Sequence, residues 1–167
     1  KPSRPWLYEM RSLGYNYRIT DFQCALGLSQ LKKLNKFVKR RKEIALIYDK
    51  AFSNFPSVKI PKVAAKMGHA YHIYPLRINF KKIGISKEIF FKRLKKSGIN
   101  LQVHYIPIHL QPYYKKKFNF KHGDFPVAEK FYDEEVSLPI FYGLKNSQIK
   151  FIISKIKKLI KKWLKIF

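Results

Sequence analysis

The chain has 167 residues, of which 46% are hydrophobic and 16% aromatic, and these fractions exclude an intrinsically disordered protein. The 36 Lys and Arg residues against 10 Asp and Glu residues give a formal charge of +26. This excess indicates either a polyanionic partner (nucleic acid, an anionic membrane or a phosphorylated metabolite) or compositional drift toward lysine. Lysines interrupt every apolar run before it reaches the roughly 20 residues that span a bilayer. The single Cys24 cannot form an internal disulfide, which a reducing compartment allows.

The first part of the chain predicts an extended arm followed by a long helix. Residues 1–19 have no periodicity, whereas apolar residues recur at the helical period over Thr20–Phe52. Thr20 and Gln23 have the spacing of a capping box at the start of this helix. Cys24 lies inside the helix and is predicted to be part of the core. We therefore expect an arm (1–19), a connecting helix (20–54) and a small domain (55–167).

The small domain is predicted to be an α/β layer with helices on a short, mainly antiparallel sheet. Strands are predicted from alternating or short apolar runs at His69–Phe80, Leu101–Tyr105 and Val136–Leu138. The intervening helices are predicted over Ser86–Ser97 and Pro126–Glu135, with a loop over Pro107–Phe125. Asn146 or Ser147 is predicted to cap a terminal helix that reaches about Ile166. Its apolar stripe fits docking on the sheet, which is the favoured interpretation, or a membrane-surface helix.

Two clusters of polar residues are candidates for ligand binding. The first is Gly14–Arg18, where Asn16 offers an amide and Arg18 a bidentate fork directly before a helix N-terminus, a plausible anion site. The alternative is an ordinary entry loop. The second cluster is the segment Gln102–Tyr114, which runs from a predicted strand end into a loop. The His, Gln and Tyr side chains of this segment could bind a polar ligand. The alternative is that its histidines are structural residues whose hydrogen bonds are made within the protein.

The histidines of the chain do not predict a metal centre. His104 and His109 have no third ligand at a fitting spacing. His69 and His72 fall on opposite faces of an alternating strand. We therefore assign no metal site.

Several segments together are similar to one enzyme family. Pro5–Met10, Leu13–Gln23, Val103–Tyr114 and Ser137–Ile140 follow one another in the order of the DegT/DnrJ/EryC1/StrS sugar aminotransferases. The sequences of the first two segments most resemble the branch of this family that acts in pseudaminic acid biosynthesis and flagellin glycosylation. The resemblance covers most of the chain.

This resemblance implies the C-terminal small domain of a fold-type-I transferase that uses pyridoxal 5'-phosphate (PLP). Such an enzyme is a cytoplasmic homodimer with shared active sites, and it moves an amino group from glutamate to a UDP-linked 4-keto-6-deoxy-N-acetyl hexose. By the same resemblance, Asn16 contacts the cofactor phosphate in the partner subunit's site and Arg18 binds an acidic group of the substrate. The residues that match the lining of the nucleotide-sugar pocket are Gln102, Val103, His104, His109 and Tyr113.

The chain also departs from the family pattern. The family's Schiff-base lysine lies upstream of the segment that contains Asn16, and no lysine here has its sequence context. No catalytic residue is therefore assigned, and the chain is expected to be a C-terminal fragment that does not transaminate alone. Neither nucleic acid nor membrane is expected as a partner. The alternatives are another nucleotide-sugar aminotransferase of the family and a non-catalytic basic module that binds nucleic acid or membrane.

Overall fold

The computed structural model describes Trp6 and residues 9–164, and the chain divides into two compact units, residues 1–34 and 35–167. The structure does not describe residues 1–5, 7 and 8 of the predicted arm or residues 165–167, where the predicted terminal helix ends near Ile166. Of residues 162–164 it describes the backbone alone. None of the described helices is long and apolar enough to cross a membrane.

The first unit contains helix α1, Asp21–Leu31, and the capping box predicted at its start is confirmed. The Gln23 backbone N–H donates to Thr20 Oγ1 at 3.3 Å, and the Thr20 N–H donates to Gln23 Oε1 at 3.0 Å. These bonds satisfy two backbone donors that a helix start otherwise leaves unpaired. The prediction of Cys24 as a core residue is wrong, because α1 has no buried residue and Cys24 is half-buried.

The single long helix predicted over Thr20–Phe52 is also wrong, since two helices occupy this region. Helix α1 ends at Leu31, and α2 runs over Leu34–Phe52. The Lys33 N–H donates to the Gln30 carbonyl at 3.0 Å, a three-residue spacing that interrupts the α-helical ladder. No Gly or Pro marks this break, so the sequence pattern shows none.

The second unit contains a three-stranded antiparallel sheet in the order β1-β2-β3, which confirms the predicted sheet. Its strands are β1 (Val58–Lys59), β2 (Tyr74–Ile78) and β3 (Glu135–Leu138). Strand β1 was not predicted, since it has only two residues. Strand β2 is shorter than the predicted strand because the carbonyls of Tyr71 and His72 accept hydrogen bonds from Arg41 instead of joining the ladder. At its other end, Asn79 caps a short helix, α3 (Phe80–Ile83).

The strand predicted at Leu101–Tyr105 is wrong. Only Gln102 pairs with the sheet, in a single antiparallel bridge to Ser137. Two residues later, the His104 N–H donates to the Glu135 side chain at 3.1 Å. A carboxylate thus takes the place of a backbone acceptor, and the ladder cannot continue.

Helices cover the sheet and close the core. Those predicted over Ser86–Ser97 and Pro126–Glu135 are confirmed as α4 (Lys87–Lys96) and α6 (Pro126–Glu134), and the terminal helix as α7 (Asn146–Leu164). The predicted loop Pro107–Phe125 also contains a 3₁₀ turn, Ile108–Leu110, and a short helix α5, Pro112–Phe118. The apolar stripe of α7 docks into the core of its own domain, as favoured, through Ile149, Ile152, Ile156 and Ile160.

Candidate functional site

The first candidate cluster lies in the first unit and forms a local turn. Asn16 Oδ1 accepts the backbone N–H of Arg18 at 3.1 Å, which fixes the orientation of the amide. Both side chains are exposed. With Oδ1 occupied, the Asn16 NH₂ group is the part of the amide left to bind a ligand, and together with the exposed Arg18 guanidinium it offers donors that suit a phosphate or a carboxylate.

The second cluster lies in the other unit, beside β3. The backbones of Gln102 and Ser137 exchange hydrogen bonds, with Ser137 N donating to Gln102 O at 2.8 Å. His104 is half-buried, and its Nδ1 lies 2.7 Å from Ser137 Oγ. The ring of Tyr105 packs edge-on against His104 at a centroid distance of 4.7 Å. The bridge to β3 therefore determines where the His104 imidazole lies.

Glu135 is a member of this cluster that our sequence analysis missed. Its side chain is fully buried, and it accepts hydrogen bonds from the Ser137 hydroxyl and from the His104 backbone N–H. Glu135 and Ser137 are two residues apart on one strand and therefore share a face of the sheet. That spacing of a carboxylate and a hydroxyl in an otherwise apolar strand was the available signal.

A lysine with a perturbed pKa lies beside Glu135. Burial lowers the pKa of Lys87, while the nearby carboxylates of Glu135, Asp133 and Glu88 act in the opposite direction. The Lys87 ammonium donates to the carbonyl of Tyr132. A positive charge close to Glu135 offsets part of the cost of burying that carboxylate.

His109 is buried elsewhere in the same unit and has a different partner. Its Nε2 lies 2.8 Å from Glu129 Oε1, and the Glu129 carboxylate also accepts the backbone N–H groups of Gly123 and Phe125. Burial acts to raise the pKa of Glu129, but the hydrogen bonds from His109 and these N–H groups outweigh it and hold the pKa below its ordinary value. His109 therefore ties the loop to α6.

The remaining predicted residues face different surroundings. Val103 lines a cavity of about 390 Å³ together with Lys87 and Tyr132. Tyr113 is exposed on α5, where its hydroxyl accepts a hydrogen bond from Lys117 at 3.2 Å. The side chain of Gln102 is exposed. The sequence placed all these residues on one loop, whereas the structure joins only Gln102 and His104 to the same residue of β3.

A second, largely apolar cavity of about 630 Å³ lies along this loop. Tyr105 and Pro107 line it on the side of the loop, and Phe125, Val127 and Phe131 line it on the side of α6. Two of its aromatic rings, Tyr105 and Phe125, are substantially exposed. A cavity of this size with aromatic walls is large enough for a drug-sized ligand. Within the described part of the chain, no three His, Cys, Asp or Glu side chains could hold a metal ion together.

Comparison with known proteins identifies relatives across nearly the whole chain. The model of the DegT/DnrJ/EryC1/StrS aminotransferase family matches residues 2–157. The spore coat polysaccharide biosynthesis protein SpsC of Bacillus subtilis is 38% identical over 157 residues, which are 93% of this chain and 40% of that protein. A UDP-4-amino-4,6-dideoxy-N-acetyl-beta-L-altrosamine transaminase of Campylobacter jejuni is 37% identical over 164 residues, 93% of this chain and 42% of that protein.

Solved structures show the same fold. PseC of Helicobacter pylori, an aminotransferase of pseudaminic acid biosynthesis, matches with a TM-score of 0.81 and 33% identity over 95% of this chain and 42% of PseC. The PLP form of a sugar aminotransferase from Streptococcus pneumoniae matches with a TM-score of 0.80 and 27% identity, over 94% of this chain and 40% of that one. The predicted fold class, a small α/β domain of a fold-type-I PLP-dependent transferase, is thus confirmed.

The match covers nearly all of this chain but less than half of each relative. The chain spans about 40% of the length of the curated relatives it matches. Enzymes of the matched family use pyridoxal phosphate. Because the family model covers 2–157 of the 167 residues, the chain belongs to the DegT/DnrJ/EryC1/StrS aminotransferase family.

Proposed function

We propose that the protein to which this chain belongs is a cytoplasmic, homodimeric, PLP-dependent sugar-nucleotide aminotransferase. It transfers an amino group from glutamate to a UDP-linked 4-keto-6-deoxy-N-acetyl hexose in pseudaminic acid biosynthesis. The observation that carries this proposal is the similarity to PseC, with a TM-score of 0.81 and 33% identity. In this protein, residues 1–19 are an arm, residues 20–54 connect it to the rest, and 55–167 form the small domain.

The residues of the first cluster fit one contact to the cofactor phosphate. The hydrogen bond from Arg18 N occupies Asn16 Oδ1 and leaves the Asn16 NH₂ group to donate to a phosphate oxygen. We assign Asn16 to the phosphate in the partner subunit's site and Arg18 to an acidic group of the substrate. Bound PLP carries the amino group between donor and acceptor. The Schiff-base lysine belongs, in this proposal, to a part of the enzyme upstream of the chain.

The loop Gln102–Tyr114 is assigned to the nucleotide sugar. His104 and Gln102 are placed by β3, and the aromatic cavity beside Tyr105 offers apolar surface for a sugar or base ring. His109 contacts the lining of this pocket through the ring of Phe125, at a centroid distance of 4.7 Å, while its Nε2 is occupied by Glu129. Val103 and Tyr113 complete the proposed lining. The loop's task is thus binding and orientation of the sugar nucleotide.

The test separates the two half-reactions of the full-length enzyme. His104→Ala should raise the apparent KM for the UDP-sugar, while stopped-flow conversion of the bound cofactor by glutamate alone stays nearly intact. His72→Ala, at an exposed histidine outside the loop, is the matched control. If the glutamate half-reaction fell as much as overall turnover, the loop would act on the cofactor chemistry and its assignment would be wrong.

The similarity to SpsC favours a second candidate, an aminotransferase that acts on a different nucleotide sugar. A panel of nucleotide-linked keto sugars, with the aminated products detected by mass spectrometry, distinguishes the two. Amination of the UDP-linked 4-keto-6-deoxy-N-acetyl hexose in preference to the other sugars supports the first candidate. Preference for another sugar supports the second, and absence of amination with every sugar refutes both.

A further inference from the structure

We propose that Glu135 and Ser137 act as positioning residues that hold His104 in one tautomer, so that its Nε2 accepts a hydrogen bond from a hydroxyl or N–H group of the ligand. The inference deepens the proposed function and rests on it for the identity of the ligand. It concerns three residues joined by hydrogen bonds, of which our sequence analysis considered only His104 as a binding residue.

The argument begins at the buried carboxylate. Glu135 is 0% exposed, and its two oxygens take different donors: Oε2 accepts the His104 backbone N–H at 3.1 Å, and Oε1 accepts the Ser137 hydroxyl. The Ser137 hydroxyl donates its single hydrogen to Glu135 Oε1, so that hydrogen is not available to His104.

The direction of the next bond follows from this. Ser137 Oγ lies 2.7 Å from His104 Nδ1, and its own hydrogen is already used. The hydroxyl oxygen therefore accepts, so His104 donates from Nδ1, and in the neutral form of the ring this is its single hydrogen. Nε2 then carries a lone pair. Among the described residues no side chain or backbone group hydrogen-bonds to Nε2, and His104 is half-buried, not enclosed.

An imidazole held in this way selects the chemistry of its ligand. A lone pair on Nε2 attracts a hydroxyl or an N–H and repels a bare phosphate oxygen, because two acceptors cannot share a hydrogen bond. We therefore assign His104 to a hydroxyl or amide N–H of the nucleotide sugar and not to its diphosphate. Because the His104 imidazole is already held in one tautomer and orientation, ligand binding does not have to supply the free energy of ordering it.

Replacement of Glu135 by glutamine predicts an inverted network. The His104 backbone N–H can only donate, so the glutamine oxygen must stay opposite it, and the glutamine NH₂ group then faces Ser137. The serine becomes the acceptor of that bond and turns its own hydrogen toward His104 Nδ1. The imidazole hydrogen moves to Nε2, and the acceptor offered to the ligand becomes a donor.

The first measurement follows the tautomer directly and does not depend on catalysis. Nitrogen-15 NMR of the labelled chain should show His104 protonated on Nδ1, with its signals identified by their loss in His104→Gln. E135Q should show protonation on Nε2, and Ser137→Ala should show loss of the preference for Nδ1. Glu43→Gln, at an exposed carboxylate that pairs with Arg40, should leave His104 unchanged. A wild-type His104 protonated on Nε2 would overturn the proposal.

The second measurement uses the full-length enzyme. E135Q and Ser137→Ala should each raise the KM for the UDP-sugar about tenfold, which corresponds to about 1.4 kcal/mol, with the glutamate half-reaction unchanged. The melting temperature of each variant shows that it is folded. An inverted tautomer with an unchanged KM would overturn the role in ligand binding. A wild-type enzyme that aminates no nucleotide sugar would refute the proposed function alone, since the NMR result does not require it.

Discussion

His109 and Glu129 form a buried pair, with His109 Nε2 2.8 Å from Glu129 Oε1. The same carboxylate accepts the backbone N–H of Gly123 at 2.9 Å, and the exposed His122 lies 3.2 Å from its other oxygen. Glu129 comes from α6, whereas its partners come from the preceding loop. One side chain therefore holds the loop to the helix, and the loop's shape depends on the charge of that carboxylate.

The first prediction concerns the stability of this arrangement in acid. Because hydrogen bonds hold the pKa of the folded Glu129 carboxyl below its ordinary value, the stability that this carboxylate contributes is fully present above the pKa of the unfolded state. It is lost as pH falls through the pKa of the folded state. Glu129→Gln should unfold more easily near neutral pH and lose less stability on acidification than the wild type. Urea unfolding across the acid range measures this, with Glu43→Gln as control. Parallel pH profiles for wild type and Glu129→Gln would contradict it.

The second prediction concerns the docking of α7. Ile156 is 0% exposed, whereas Ile89 on α4 is 43% exposed. Ile156→Ala should lower the free energy of unfolding by about 2–5 kcal/mol, because it removes buried methylenes and leaves a cavity. Ile89→Ala is the matched control and should cost much less. Chemical denaturation measures the free energy of unfolding of both variants. Equal losses in that free energy would refute the packing of α7 in the core.

The third prediction compares two buried tyrosines. Tyr74 donates to Asp49 Oδ1 at 2.6 Å, and Tyr48 donates to the Pro139 carbonyl at 2.8 Å. Burial raises the pKa of both phenols, and the bond to Asp49 raises that of Tyr74 further. Tyr74→Phe should therefore cost about 1.5–3 kcal/mol, and Tyr48→Phe, with a neutral acceptor, about 0.5–1.5 kcal/mol. Equilibrium unfolding of the two variants measures which loses more free energy of unfolding. A larger loss for Tyr48→Phe would contradict the stronger hydrogen bond assigned to Tyr74.

The fourth prediction tests the proposed cofactor contact in the full-length dimer. Asn16→Ala should weaken PLP retention by about 1–3 kcal/mol, the scale of a lost hydrogen bond to a charged group. Asn100→Ala, at an exposed asparagine of the small domain, is the control. Equilibrium dialysis against PLP measures the change, and gel filtration confirms the dimer. A dimeric Asn16→Ala enzyme with unchanged affinity would remove Asn16 from the site.

Elements with local signals were predicted from the sequence. Ser86 caps α4 through a hydrogen bond from the Ile89 N–H, and the apolar period of α7 identified its buried face. The capping box at the start of α1 was likewise predicted from the spacing of Thr20 and Gln23 in the sequence. These features depend on residues three or four positions apart, which the sequence displays directly. Order and spacing of the motifs likewise determined the family.

Features that depend on distant residues needed the tertiary structure. The Leu101–Tyr105 strand fails because Glu135, 31 residues away from His104, supplies the acceptor for its backbone N–H. Likewise β2 begins late because Arg41, 30 residues before Tyr71, binds that residue's carbonyl. The tautomer of His104 and the burial of His109 are also set by partners on other elements. Alternation and periodicity report which face of an element is apolar, but the acceptor that each buried donor finds is decided only when the elements pack together.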